Sequence, residues 1–372
     1  MVSNPLLYNI GITLLPGVGN ITAKNLIAYC GSAEGVFKAK KSHLEKIPGI
    51  GTILTEVISN GDIQKDALKR AEEEIEFLEK EKIKAIFYTE EIYPFKLKQC
   101  DDGPVLLYYK GNADLNAQKV ISIVGTRAAT DYGKEVTQKL VEDLSIYSPL
   151  IVSGLALGID ICAHKAALKN NLQTVGVLAH GLEKIYPDLN ISTAQQMVKQ
   201  GGLLTEFISE TEMLPEYFPR RNRIVAGLAN ATIVIESKKS GGSLITAEIA
   251  NSYDRDVFAV PGRINDTSSE GCNLLIKANK AMLIQSAEDV VKALNWDVES
   301  KKQKQTQQEL FALLSAEEET LVNILRQKEK AHVDDISSAS GLPMSKTAAL
   351  LLNLEFSGAI KSLPGKMYVL NK

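Results

Sequence analysis

Cysteine is scarce and scattered: Cys30, Cys100, Cys162 and Cys272 form no CxxC pair and no Cys/His metal spacing, which excludes a disulfide framework and a zinc site. A reduced, cytoplasmic setting fits that usage. Long apolar runs are also lacking, and the start, Met1 to Pro5, has no basic stretch leading into an apolar one, so neither membrane insertion nor secretion is expected. Positive charge is not in excess, since 42 Lys and Arg oppose 45 Asp and Glu for a net charge of −3. Any binding of a polyanion must therefore come from a local patch of cations, without help from the overall field. Neither a Gly-Lys-Ser/Thr phosphate loop nor a GxGxxG fingerprint is found, which argues against ATP hydrolysis and dinucleotide binding. No cofactor, metal or catalytic group is expected.

What is present is an ordinary globular composition, 45% hydrophobic and 23% charged, in 372 residues. That length predicts about two or three domains. Residues 1–82 read as helical, with two Pro-Gly-aliphatic-Gly turns, Leu15 to Gly19 and Ile47 to Gly51. Such hairpins either aim backbone N–H groups at a phosphate or simply connect helices. Lysines precede only the second turn, at Lys38, Lys40, Lys41 and Lys46. Glu72, Glu73, Glu74, Glu76, Glu79 and Glu81 then predict a solvated acidic helix.

Over residues 83–300, short β-branched runs alternate with helical stretches. Residues 120–124, 150–152, 174–178, 232–235 and 257–260 read as buried parallel strands, and the alternation predicts an α/β fold with a doubly wound sheet. Ligands of such sheets bind beyond the carboxyl ends of the strands. Residues 301–308 are polar and unperiodic and read as a linker. The tail, 309–372, reads as three helices and a β-hairpin, a winged helix suited to duplex DNA, to a protein contact or to dimerisation. Its third helix offers only Lys346 as a base-reaching cation.

The predicted strands run into loops suited to anions. The first enters Gly125-Thr126-Arg127, where free N–H groups and an arginine favour a phosphate. The second enters Ser153-Gly154 and a helix on which Asp160 and His164, four apart, share a face. That pair is either an acid-base couple or a structural lock that leaves Lys165 free for a phosphate. A later strand leads to Ser240-Gly241-Gly242-Ser243, whose amides and hydroxyls suit a phosphate cradle. Between them lies Phe218-Pro219-Arg220-Arg221-Asn222-Arg223, with guanidinium forks for phosphate oxygens and an aromatic face for an exposed base. Several such loops on one sheet edge suggest a ligand with several phosphates, and the arginine-aromatic segment suggests a single-stranded nucleic acid.

With these motifs in order, together with Ser243 to Ala247 and Ala259 to Gly262, the chain resembles the bacterial DNA-processing protein A family, DprA or Smf. The resemblance implies an extended Rossmann-like domain, an N-terminal helical domain of the helix-hairpin-helix or SAM-like kind, and a C-terminal winged helix. It also implies sequence-independent single-stranded DNA binding, loading of the recombinase RecA during natural transformation, and a homodimer. Carried over by position, Arg127 would hold a backbone phosphate and Phe218 would stack near a base. Arg221 and Arg223 would line the pocket, and Gly242 and Ser243 would donate to the strand. The extra glycine at Gly241-Gly242, and His180 where a smaller residue is usual, depart from the pattern. A rival reading is a Rossmann-type nucleotide phosphoribohydrolase, with Glu248 and Arg127 acting on a glycosidic bond. The geometric requirement for DNA binding is that Arg127, Arg221 and Ser243 meet along one rim of the sheet.

Overall fold

The computed structural model describes residues 4–296, 315–328, 330–356 and 359–370. The expected linker at 301–308 lies outside them. The chain divides into two compact units, Met1–Val290 and Val291–Lys372.

The first unit is built on a nine-stranded sheet: β1 (Lys84–Phe87), β2 (Leu106–Gly111), β3 (Val120–Val124), β4 (Leu150–Ser153), β5 (Thr174–Val177), β6 (Gly201–Thr205), β7 (Ala231–Val234), β8 (Asp256–Ala259) and β9 (Met282–Leu283). Their order is β1-β2-β6-β5-β4-β3-β7-β8-β9, parallel from β6 to β9, with β2 antiparallel to β6 and β1 antiparallel to β2. The chain leaves β3 on one side as far as β6, then returns to place β7 on β3's other side. That reversal opens a crevice at the carboxyl ends of β3, β4 and β7. The five expected strands appear as β3, β4, β5, β7 and β8, buried on both faces apart from Asp256 at the start of β8.

Strands β1, β2, β6 and β9 were not anticipated, and β6 shows why. It opens on Gly201-Gly202, a poor strand signal. A Cβ at Gly202 would lie 2.4 Å from the Tyr109 ring of β2, whose hydroxyl donates to the Gly201 carbonyl at 2.9 Å. Gly202 is there to admit the cross-strand tyrosine, and Gly201 to let the Thr174 backbone approach, where a Cβ would fall 2.0 Å from the Thr174 carbonyl oxygen.

The N-terminal region is helical, and its two turns are alike. Gly17 and Gly49 take left-handed φ of 78° and 81°, and Gly19 and Gly51 then cap the helices Asn20–Cys30 and Thr52–Ser59. Asn60 caps the long helix Gly61–Glu81 by accepting from the Asp62 and Ile63 amides. The buried stripe of that helix is Ala67, Ala71, Glu74 and Leu78, a helical spacing that faces one core shared with β1 and β2. Glu74 therefore departs from the expected solvated acidic face. Only 1% exposed, it accepts from the Ser209 amide at 3.1 Å and pairs with Arg70 at 3.2 Å. Burial of that charge is tolerable because every donor around it is in place.

The second unit has helices Ala316–Lys328, Val333–Ser340 and Met344–Phe356. They pack with a sheet of β10 (Lys330–His332), β11 (Ile360–Leu363) and β12 (Met367–Leu370) in the order β10-β12-β11. This is a winged helix whose hairpin gains a third strand. Lys346 is paired with Glu317 at 2.5 Å. Among the described residues, no helix is long and apolar enough to cross a membrane.

Replacing Glu74 by Ala strands the Ser209 amide and removes the carboxylate partner of Arg70, which keeps its bonds to Ser209. Denaturant unfolding is expected to show a loss of about 1–3 kcal/mol, as a lower midpoint with an unchanged slope.

Candidate nucleic-acid interface

The loop after β3 is held from two sides. Thr126 donates its amide to the Glu236 carbonyl at 2.8 Å, and Ile159 donates to the Thr126 carbonyl at 3.2 Å. Gly125 is required by that close approach, since a Cβ would fall 2.5 Å from the Ile159 side chain. Glu236, buried at the end of β7, accepts from the amide and hydroxyl of Thr130, the residue that caps the helix Asp131–Leu144. The backbone is thus fixed while Arg127 stays exposed, its guanidinium 5.1 Å from the centre of the Phe218 ring.

The loop after β4 is organised around a buried arginine. Arg221, from the helix Tyr217–Leu228, donates to the carbonyls of Gly154 and Val177, the latter at 2.6 Å, and through Nε to Asn222. A Cβ on Gly154 would sit 2.1 Å from Arg221 Nη1, so the glycine is there to admit the arginine. Asp160 accepts from the Gly154 amide at 3.1 Å and faces Arg221 electrostatically. Burial pushes the Asp160 carboxyl above its ordinary range against the pull of Arg221, and burial also pushes Arg221 down to about 10.

His164 corrects an expectation. Its partner is Thr174, Nδ1 to Oγ1 at 2.7 Å, and not Asp160. The Thr174 hydroxyl donates its own proton to the Ile151 carbonyl, so Nδ1 carries the hydrogen and Nε2 is left bare and unpartnered. Burial pushes the imidazole down to about 3. It is a neutral core residue and no acid-base partner.

The third wall is the helix Gly242–Ser252. Its opening turn carries no side-chain cap, which leaves the first amides directed outward with the positive end of the helix dipole. Ser243 donates its hydroxyl to Ser237 at 2.9 Å. A Cβ at Gly242 would meet nothing within 4 Å, so no internal contact demands that glycine.

These walls enclose one cleft of about 390 Å³. It gathers Gly125, Thr126, Arg127, Gly154, Phe218, Arg221, Asn222, Ser240, Gly242 and Ser243. Arg127, Arg221 and Ser243 therefore share one rim. The charged residues lining it are Arg127, Arg221, Lys238 and Asp160, a local positive excess in a chain of net charge −3. The sequence motifs assign no role to Lys238, although the adjacent lysines Lys238-Lys239 in the loop after β7 are a signal for it.

Four expected contact residues stand elsewhere. Ser153 is buried and donates to the Ile123 carbonyl at 2.6 Å. Arg223 is buried, bound to the Asp102 carbonyl at 2.6 Å and to Glu206 at 2.5 Å. Lys165 lies in a separate open groove with Lys169 and Lys199. Arg220 leans on Phe207 and Tyr217, with ring centres 5.2 and 5.4 Å away, and lines another cavity. Arg221 itself lines the cleft, but its Nη1 and Nε are spent on protein acceptors, so it supplies field more than a free fork.

Residues 84–295 match the family described as DNA recombination-mediator protein A, and residues 302–366 match the DprA winged helix domain. The chain belongs to the DNA recombination-mediator protein A family. It is 41% identical to the DNA processing protein DprA of Streptococcus pneumoniae over 57% of this chain and 74% of that one. It is 32% identical to the protein Smf of Synechocystis over 99% of both. Among solved structures, the Streptococcus pneumoniae DprA superposes with a TM-score of 0.64 at 33% identity, covering 78% of this chain and 98% of that one. A DNA processing protein A from Helicobacter pylori, solved to show its single-stranded DNA binding mode, gives 0.53 at 30% identity over 58% and 96%. The family is one of DNA-processing proteins. The rival hydrolase finds no support in the geometry, because Glu248 is paired with Lys280 at 2.6 Å and does not line the cleft.

The depressed His164 predicts acid sensitivity with a definite sign. The unfolded chain binds a proton near pH 6.5 that the folded chain refuses until about pH 3, so the stability from this residue is full above 6.5 and lost as the pH falls through that window. Chemical denaturation across pH 7 to 4 is expected to show a slope of up to roughly 1.4 kcal/mol per pH unit from this residue, reduced in His164→Gln.

Proposed function

We propose that this chain binds single-stranded DNA in the cleft without reading its sequence and acts as a recombination mediator. In this reading Arg127, Lys238 and the amides of Gly242 and Ser243 hold backbone phosphates. Phe218 stacks on a base, and Gly125, Thr126, Gly154, Asn222 and Ser240 let the strand approach. The observation that carries it is the meeting of an exposed arginine on an aromatic ring with the open start of a helix, at the carboxyl ends of β3, β4 and β7. Phosphate and base are both offered partners there, which an unpaired strand presents along its length and a duplex, with its bases stacked inside, does not. The named binding mode of the Helicobacter pylori relative supports the same ligand.

The recombination-mediator description of the family supports the further steps. We propose that the protein works in the cytoplasm as a homodimer, protects incoming single strands and loads RecA onto them during natural transformation, with no catalysis of its own. The helical region 1–82, the central region 83–300 and the tail 309–372 would act as separate modules in that task.

Anisotropy titrations with single-stranded, duplex and mononucleotide ligands across a salt series test the reading. Single strands are expected to bind most tightly, with log affinity falling linearly in log salt. Arg127→Ala is expected to flatten that slope by roughly 0.7 for the one phosphate lost. Gly242→Asp, which sets a carboxylate at the helix start, should weaken binding further without unfolding the protein. Preference for duplex or mononucleotide, or nucleotide turnover, would refute the assignment.

A further inference from the structure

A second cavity, of about 220 Å³, lies between the first N-terminal hairpin and the start of β2 beside the end of β6. Its lining includes Gly19, Tyr108, Glu206, Phe207, Tyr217 and Arg220. Two of these bring buried polar atoms that the protein leaves unpaired. Glu206, its side chain 4% exposed, commits Oε2 to Arg223 at 2.5 Å and to Asn20 at 3.2 Å, while its buried Oε1 has no partner. Tyr108, 3% exposed, has a hydroxyl equally buried and unpartnered. Burial pushes that phenol up, so it stays protonated and can donate. Both residues line the cavity, and buried polar groups of this kind are costly when left unmade.

The remaining wall is aromatic. Phe207 and Tyr217 pack with centroids 4.6 Å apart, and Arg220, half exposed, lies over both rings. Gly19 needs no freedom of its own, since its φ is −85° and a Cβ there would meet nothing within 4 Å. Its missing side chain leaves space at the hairpin.

We infer that this seam cavity is a nucleobase pocket. A base is a flat ring whose edge carries N–H donors and carbonyl or ring-nitrogen acceptors, the complements of Glu206 Oε1 and of the Tyr108 hydroxyl. The attached phosphate falls to Arg220. An apolar cavity of about 150 Å³ already accepts benzene, so the space suffices for such a ring. The inference rests on the single-strand reading above: Tyr217 and Arg220 occupy the same first helical turn as Phe218, so a strand leaving the main cleft crosses that turn with its next base at the seam. A free mononucleotide offers the same chemistry.

The test uses the full chain with Tyr108→Phe and Tyr217→Ala, a fluorescent oligothymidylate, the same oligomer with abasic sites, and GMP. Tyr108→Phe removes a hydroxyl with no internal partner, so its melting temperature is expected to hold or rise. Its affinity for the oligomer should fall roughly three- to tenfold. Tyr217→Ala should cost more, and neither variant should differ from the wild type on the abasic strand. A Tyr108-dependent loss for GMP alone supports the pocket and identifies the free nucleotide as its source. Unchanged binding of both oligomer and GMP in both variants overturns it, even if Arg127→Ala still abolishes capture, in which case the main-cleft reading survives. If Arg127→Ala has no effect on the oligomer, the main-cleft reading fails and the GMP arm alone decides the pocket.

Discussion

The candidate site hangs on one buried cation. Arg221 reaches from the helix Tyr217–Leu228 beneath the β4 loop and donates to two carbonyls, Gly154 and Val177, at the ends of adjacent strands. Taking a guanidinium out of water is expensive, and the cost is offset only because both acceptors and the Asp160 carboxylate are fixed in advance. Gly154 must lack a side chain to admit it, and Asp160 must hold the Gly154 amide to orient the loop. Crevice, loop and helix are therefore one cooperative arrangement, and Phe218 is placed as a by-product of where Arg221 is anchored.

Other buried charges follow the same logic. Glu236 fixes the helix start at Thr130, Glu74 fixes the Ser209 turn, and Arg223 with Glu206 fastens the helix Tyr217–Leu228 to the loop at Asp102. These charges serve architecture. The exposed ones at the cleft, Arg127 and Lys238, are left for a ligand. The division explains why a cluster of arginines close in sequence splits in space: around a helix, Arg220, Arg221 and Arg223 point to different neighbours.

That splitting also marks the limit of what could be read from the residues alone. The alternation of apolar runs and helices was enough for the sheet and its functional edge, because parallel strands buried on both faces are compositionally distinct. The glycine loops were legible because each follows such a strand. Burial of individual ionisable groups was not legible. Glu74 sits among solvated glutamates and differs from them only by facing the helix's apolar stripe, while His164 found Thr174, a strand away, rather than the aspartate one turn behind it. Strand β6 was missed for a related reason: it opens on two glycines, of which Gly202 is needed because the Tyr109 ring lies over it and Gly201 because the Thr174 backbone does.

The gathering of cations in one crevice of a slightly acidic chain governs how an encounter proceeds. With net charge −3 the distant field offers a nucleic acid no attraction, and at physiological salt the pull of the crevice fades within about 8 Å. Capture is then short-ranged and face-selective. A passing polyanion is ignored until it meets that side of the molecule.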